Sequence, residues 1–301
     1  MISDEARQFH AILAALPTGV SETPPTMEQA RAASDLWSVA TGEPEGVEYQ
    51  SVDAGGVPAE WAIPAGAGED KVLLYLHGGG YSVGSIVSHR KLVGHLAKAA
   101  GVRGLSVGYR LAPENPFPAG LDDAVTAYAW LLGEGIAAAH IGIGGDSAGG
   151  GLALATALAL RERGLPAPAG LVLLSPWTDL ASTGESLRTN LGKDLLIRGV
   201  NDDAPGVTSY AGDNDVKNPL ISPLYADFSD FPPFVVHVGG DELLLDDSTR
   251  LAEWASAAGC DVTIEVWPDM QHVFQIAAGN VPEADEAVAK LGSWLSKQLQ
   301  D

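Results

Sequence analysis

The chain has 301 residues, 46% of them hydrophobic and 19% charged, with a formal net charge of −22. This balance excludes a disordered chain, and the acidity works against nucleic acid and anionic membranes, whose phosphates it would repel. No apolar run reaches the roughly 18 residues of a membrane span, no basic-then-apolar leader opens the chain, and one cysteine (Cys260) allows no intrachain disulfide, so a cytoplasmic protein is expected.

Residues 1 to about 45 carry apolar positions at helical spacing in two pieces, Asp4–Leu16 and Met27–Ala40, separated by Pro17, Pro24 and Pro25. A hairpin is predicted next, Val47–Val52 and Val57–Ile63 around Ala54-Gly55-Gly56. From Lys71 onward apolar strands alternate with helical stretches, the pattern of a mostly parallel sheet with helices on both faces. Strands are predicted at Val72–Leu76, Val102–Tyr109, Ile141–Gly144, Gly170–Ser175, Phe234–Gly239 and Val262–Trp267. The helices are predicted at Ser88–Ala100, Ala119–Leu132, Gly150–Arg163, Leu243–Ala258 and Glu283–Gln300. Asp179 to about Leu224 interrupts the alternation with no clear strand. This insert should emerge at the carboxyl edge of the sheet and, with the N-terminal helices, form a cap.

Two segments carry chemistry. The strand ending at His77 runs into Gly78-Gly79-Gly80-Tyr81, where consecutive glycines let main-chain N–H groups converge on a developing oxyanion. No Lys-Ser/Thr follows, which excludes a Walker-type phosphate loop, and no G-x-G-x-x-G with a downstream acid marks a dinucleotide site. Further on, Gly144-Gly145-Asp146-Ser147-Ala148-Gly149-Gly150 joins a short strand to an Ala/Leu-rich helix. Its G-x-S-x-G core is the strand–turn–helix elbow that exposes a serine Oγ.

His77-Gly-Gly-Gly-Tyr81, Tyr109-Arg-Leu-Ala-Pro-Glu114 and Gly144–Gly150 together resemble the bacterial hormone-sensitive-lipase-like esterases, over about Val47 to the C-terminus. The resemblance implies an α/β-hydrolase fold: a mostly parallel eight-stranded sheet flanked by helices, residues 46–301, with a helical cap from residues 1–45 and an insertion at about 179–224. Gly151 departs from the family's frequent Asn, and Glu242 from its frequent Pro.

In this fold the order is serine, acid, histidine. After Ser147 only His237 and His272 remain. His237 lies within a strand and reads as a core residue, whereas His272 sits in the loop after Val262–Trp267, where a general base belongs. The acid should follow the preceding strand: Asp241 is favoured by its family-like Gly-Gly-Asp-Glu-Leu context, with Glu242, Asp246, Asp247 and Asp179 as further candidates. Asp246 and Asp247 read as first-turn helix acids. The expected catalytic set is therefore Ser147, Asp241 and His272, with Gly79, Gly80 and Ala148 supplying the oxyanion hole. His77 reads as an anchor of the glycine loop, and His10, His89, His95 and His140 as surface or packing residues. Tyr81, Trp37, Leu196, Val273 and Phe274 are the expected pocket walls. No metal-ligand spacing is present, and no cofactor is expected.

The resemblance implies hydrolysis of short- to medium-chain acyl esters through an acyl-enzyme. The same residues would also fit a lactone or amide hydrolase with this triad, or a non-catalytic small-molecule receptor. The expected partner is a small ester, with neither nucleic acid nor membrane. By analogy with related esterases, two copies would pair through Val262–Trp267.

Overall fold

A computed structural model describes residues 2–16, 25–197 and 205–300. Pro17 and Pro24, read as helix breakers, lie outside them. α1 (Asp4–Ala15) starts at a Ser3 cap, whose main-chain N–H and hydroxyl also bond Glu283. α2 (Met27–Asp35) begins with a Thr26/Gln29 capping box. It tightens into a 3₁₀ turn over Leu36–Val39, so the second predicted helix ends earlier than its apolar spacing suggested.

β1 (Val47–Asp53) and β2 (Pro58–Pro64) form the hairpin, with Val47 opposite Pro64. The alternating units follow: β3 (Val72–Leu76), α3 (Ile86–Ala100), β4 (Arg103–Val107), α4 (Ala119–Gly133), β5 (Ile141–Asp146), α5 (Ala148–Glu162) and β6 (Gly170–Leu174). Two short helices, α6 (Ser186–Thr189) and α7 (Pro205–Ala211), lie in the insert. β7 (Phe234–Gly239), α8 (Leu245–Ala257), β8 (Val262–Trp267) and α9 (Pro282–Gln298) complete the chain. The eight strands are ordered β1-β2-β4-β3-β5-β6-β7-β8. β2 is antiparallel to both β1 and β4, and every other pairing is parallel.

The period of two along β3 explains the layers. Val72, Leu74 and Leu76 join a core with α4, α5 and α8, while Leu73 and Tyr75 join another with α1, α3 and α9. With both faces covered, the central strands read as unbroken apolar runs. β8 lies at the edge, and its Ile264 and Val266 are 37% and 42% exposed. No described helix is long and apolar enough to cross a membrane.

This topology brings the carboxyl ends of β3, β5, β7 and β8 to one edge, where an open α/β sheet binds its ligands. The insert is fastened there. The Asn190 side-chain amide donates to the carbonyls of Gly240 (3.1 Å) and Glu242 (2.9 Å), and the Leu195 N–H donates to Gln271 Oε1 (2.7 Å).

Candidate active site

β5 extends two residues past its predicted end, to Asp146, and the chain then turns sharply at Ser147 with φ 51° and ψ −123°. Such a conformation costs a residue with a Cβ about 1–3 kcal/mol. Neighbouring main chain holds it: the Ser147 N–H donates to the Leu174 carbonyl (2.9 Å), and the Ser147 carbonyl accepts from Trp177 N–H (2.8 Å) and Gly151 N–H (3.1 Å). The flanking glycines are required by space. A Cβ on Gly149 would fall on the carbonyl oxygens of Leu76 and His77, and one on Gly151 on that of Trp177.

Opposite the elbow, Gly79 and Gly80 turn the loop after β3 through φ 118° and 58°. The Gly78 N–H is already committed, donating to Asp146 Oδ1 at 3.0 Å. No acceptor among the described residues takes the N–H of Gly79 or Gly80. Ala148 is the first residue of α5, whose N–H has no intrahelical acceptor. His77 is buried beside this loop. Its Nδ1 lies 2.8 Å from the Gly78 carbonyl, and its ring stacks on Tyr109 at 4.4 Å. Burial, with the His89 ring nearby, pushes the His77 pKa down to about 4, which keeps the imidazole neutral. Tyr109 also donates its hydroxyl to the His77 carbonyl (2.7 Å). The segment that follows is fastened by ion pairs, Arg110 to Asp123 and Glu114 to Arg31 of α2.

His272 and Ser147 line the same cavity. The carboxylate on His272 belongs to Glu242, whose Oε1 is 3.0 Å from His272 Nδ1. Glu242 is fully buried, and its Oε2 accepts from Ser175 Oγ (2.7 Å) and Gly239 N–H (2.8 Å). Ser175 Oγ in turn accepts from the Val273 N–H at 3.1 Å, joining the acid's support to the histidine loop. Burial alone would lower the His272 pKa. The adjacent Glu242 carboxylate, with Asp194 and Asp146 farther away, outweighs that and leaves it raised above 6.5.

The carboxylate paired with His272 is thus Glu242 and not Asp241, the residue expected there. Both residues lie in the turn that follows β7, and the 242 side chain is the one directed at the histidine. Asp241 is half-buried, and its charge acts on His10 of α1. Asp179, Asp246 and Asp247 all serve structure instead. Asp179 bonds Thr183, Tyr225 and Arg250. Asp246 accepts from the Ser186 N–H, and Asp247 from the N–H groups of Thr178 and Asp179. His237 is a core residue, 3.4 Å from Glu265 on β8, and burial lowers its pKa to about 3.

The cavity encloses about 360 Å³, within the range of small-molecule sites, about 300–1,000 Å³. Trp37, Leu196 and Val273 line it as expected, joined by Trp177, Leu244 and Ile276. Tyr81 and Phe274 are not among its walls. Tyr81 is buried face to face on Tyr210 at 3.7 Å, and Phe274 packs on Trp267 at 5.4 Å. His89, read as a packing residue, lies on the cavity wall. It lies in the first turn of α3, which starts at the Ser85/Ser88 capping box. Among the described residues, no group of three or more His, Cys, Asp or Glu is arranged to hold a metal ion.

A family model described as the alpha/beta hydrolase fold matches residues 73–276, a span holding the glycine loop, the elbow, Glu242 and His272. An acetyl-hydrolase of Streptomyces hygroscopicus is 42% identical over 244 residues, 81% of each chain. The crystal structure of an esterase from the bacterial hormone-sensitive lipase family superposes with a TM-score of 0.93 at 42% identity, covering 100% of both chains. EstE5, in a crystal soaked with p-nitrophenyl butyrate, gives 0.92 at 38% identity over 99% of each. The chain belongs to the alpha/beta-hydrolase superfamily and, within it, to the bacterial hormone-sensitive-lipase-like esterases.

Proposed function

We propose that this protein is a serine carboxylesterase acting on short- to medium-chain acyl esters through an acyl-enzyme. The observation that carries the reading is the His272–Glu242 pair, 3.0 Å apart, in the cavity that also holds Ser147 and the N–H groups of Gly79 and Gly80, which have no acceptor among the described residues. In the proposed reaction, Ser147 Oγ attacks the ester carbonyl as His272 Nε2 takes its proton. Glu242 holds Nδ1–H and stabilises the imidazolium. The N–H groups of Gly79, Gly80 and Ala148 meet the oxyanion. Collapse expels the alcohol, protonated by His272. Water, deprotonated by the same imidazole, then releases the acid and frees Ser147.

The acyl chain is taken to lie in this cavity, whose lining includes Trp37 from the N-terminal segment and Leu196 and Ile197 from the insert. This supports treating residues 1–45 and about 179–224 as a cap over a body of residues 46–301. The exposed Ile264 and Val266 of edge strand β8 support pairing of two copies along that strand.

Ser147→Ala, assayed on p-nitrophenyl acetate and butyrate, should lose on the order of 10⁶ in kcat. Activity within tenfold of the parent would overturn the reading. A panel of acyl lengths, lactones and amides then fixes the substrate class.

A further inference from the structure

The cavity wall holds a second imidazole–carboxylate pair that the triad does not use. Asp146 directly precedes Ser147 and is 3% exposed. Its Oδ1 accepts from Tyr75 Oη (2.8 Å) and Gly78 N–H (3.0 Å), and its Oδ2 lies 3.2 Å from His89 Nε2. His89, 7% exposed, is held from its other side by Ser88 Oγ, 2.8 Å from Nδ1. Ser88 is fixed in turn, because its Oγ belongs to the capping box that starts α3. The carboxylate and the oxyanion loop touch closely: a Cβ on Gly78 would fall on Asp146 Oδ2.

We propose that Asp146, braced by Tyr75 and His89, is a positioning residue that sets the oxyanion loop against the nucleophile. Three elements meet on one carboxylate: β3 through Tyr75, the glycine loop through Gly78, and α3 through His89. That carboxylate is attached to the same peptide unit as Ser147. The distance from Oγ to the Gly79 and Gly80 N–H groups is therefore set through a short, buried, fully bonded path. Oxyanion donors contribute to rate only when already aimed at the place where charge develops. A buried carboxylate left without its partners would leave this end of the loop unfixed, and its desolvation is tolerated only because three groups satisfy it. Burial works to raise the Asp146 pKa, but the His89 and Tyr75 contacts outweigh it and hold the pKa below the ordinary carboxylate value, so the side chain stays an acceptor.

This inference rests on the serine-esterase reading, so Ser147→Ala and fluorophosphonate labelling of the parent are run first. Failure there removes the reading itself, whatever the positioning variants do. With Ser147 established, Tyr75→Phe, His89→Gln and Asp146→Asn are compared by kcat, KM and the inhibition constant of an aryl trifluoromethyl ketone. Ser147 Oγ adds to the ketone carbon, its proton passes to His272, and the resulting hemiketal oxygen occupies the oxyanion hole. The expected result is a kcat loss of roughly 10- to 100-fold, at or below the loss of one whole donor. KM should stay within about threefold, and ketone affinity should fall by the same factor as kcat/KM. Tyr75→Phe and His89→Gln each remove a single partner and keep the test intact if Asp146→Asn does not fold. Parent-like kcat and ketone affinity would overturn the proposal. So would a kcat loss without a matching loss of ketone affinity, or a change confined to melting temperature.

Discussion

Exchanging one oxygen of Glu242 for an amide nitrogen tests which acid serves His272. In the parent, Oε2 accepts from two donors, Ser175 Oγ and Gly239 N–H, while Oε1 faces His272 Nδ1 alone. In Glu242→Gln the remaining oxygen is best placed on the two-donor side, because an amide nitrogen there would face a buried N–H and leave both unsatisfied. The amide nitrogen then points at Nδ1 and donates to it. That fixes the tautomer with the proton on Nε2, so the imidazole can no longer receive the Ser147 proton. The equivalent neutralisation in a serine protease triad costs about 10⁴ in kcat, or about 5 kcal/mol of transition-state stabilisation. The expected kcat loss for Glu242→Gln on p-nitrophenyl butyrate is therefore about 10³- to 10⁴-fold, with KM little changed. Asp241→Asn, whose side chain makes none of these bonds, should stay within about twofold. Circular dichroism establishes that both variants are folded. The reverse result, a crippled Asp241→Asn beside a near-normal Glu242→Gln, would refute the assignment.

Three further outcomes follow from the same geometry. His272 must be neutral to accept a proton and its pKa is raised chiefly by Glu242 against the lowering effect of burial, so kcat/KM should climb through an acid limb lying above pH 6.5. Residual activity of Glu242→Gln should show that limb at lower pH, and a limb unmoved by the substitution would contradict the cause given. Gly149→Ala drives a methyl into the main-chain oxygens of Leu76 and His77. It should cost about 3 kcal/mol or more in urea unfolding and abolish hydrolysis; a stable, active variant would show that the elbow tolerates a Cβ. Trp37→Ala opens the cap side of the cavity and should raise kcat/KM for hexanoate relative to acetate by up to about tenfold per accommodated methylene. An unchanged chain-length profile would remove Trp37 from the acyl wall.

The sequence pattern placed all eight strands, because each is an apolar or alternating run bounded by glycine, proline or charge. It also placed the glycine loop, the strand–helix elbow and the His272 loop at one sheet edge, because these turns need backbone shapes that only certain residues allow. The carboxylate beside His272 lies one position after the one expected. Asp241 and Glu242 are both carboxylates after the same strand, and only the direction of each side chain separates them, which is a matter of local backbone twist. His89 carried no motif of its own; it faces the cavity from the first turn of α3. Tyr81 and Phe274 lie next in sequence to the glycine loop and to Val273. Proximity along the chain suggested pocket walls, yet both side chains turn into aromatic packing with Tyr210 and Trp267. The insert had no regular pattern to read; its described part is held by long-range hydrogen bonds, from the Asn190 amide to Gly240 and Glu242 and from the Leu195 N–H to Gln271.

The central claim is that Ser147 is the nucleophile, and peptide-mapped labelling with a fluorophosphonate tests it most directly. A single adduct on the peptide bearing Ser147, absent from Ser147→Ala and much slower to form in Glu242→Gln, is the predicted result. An unlabelled Ser147 in a protein that still hydrolyses esters, or an adduct on another side chain, would contradict it.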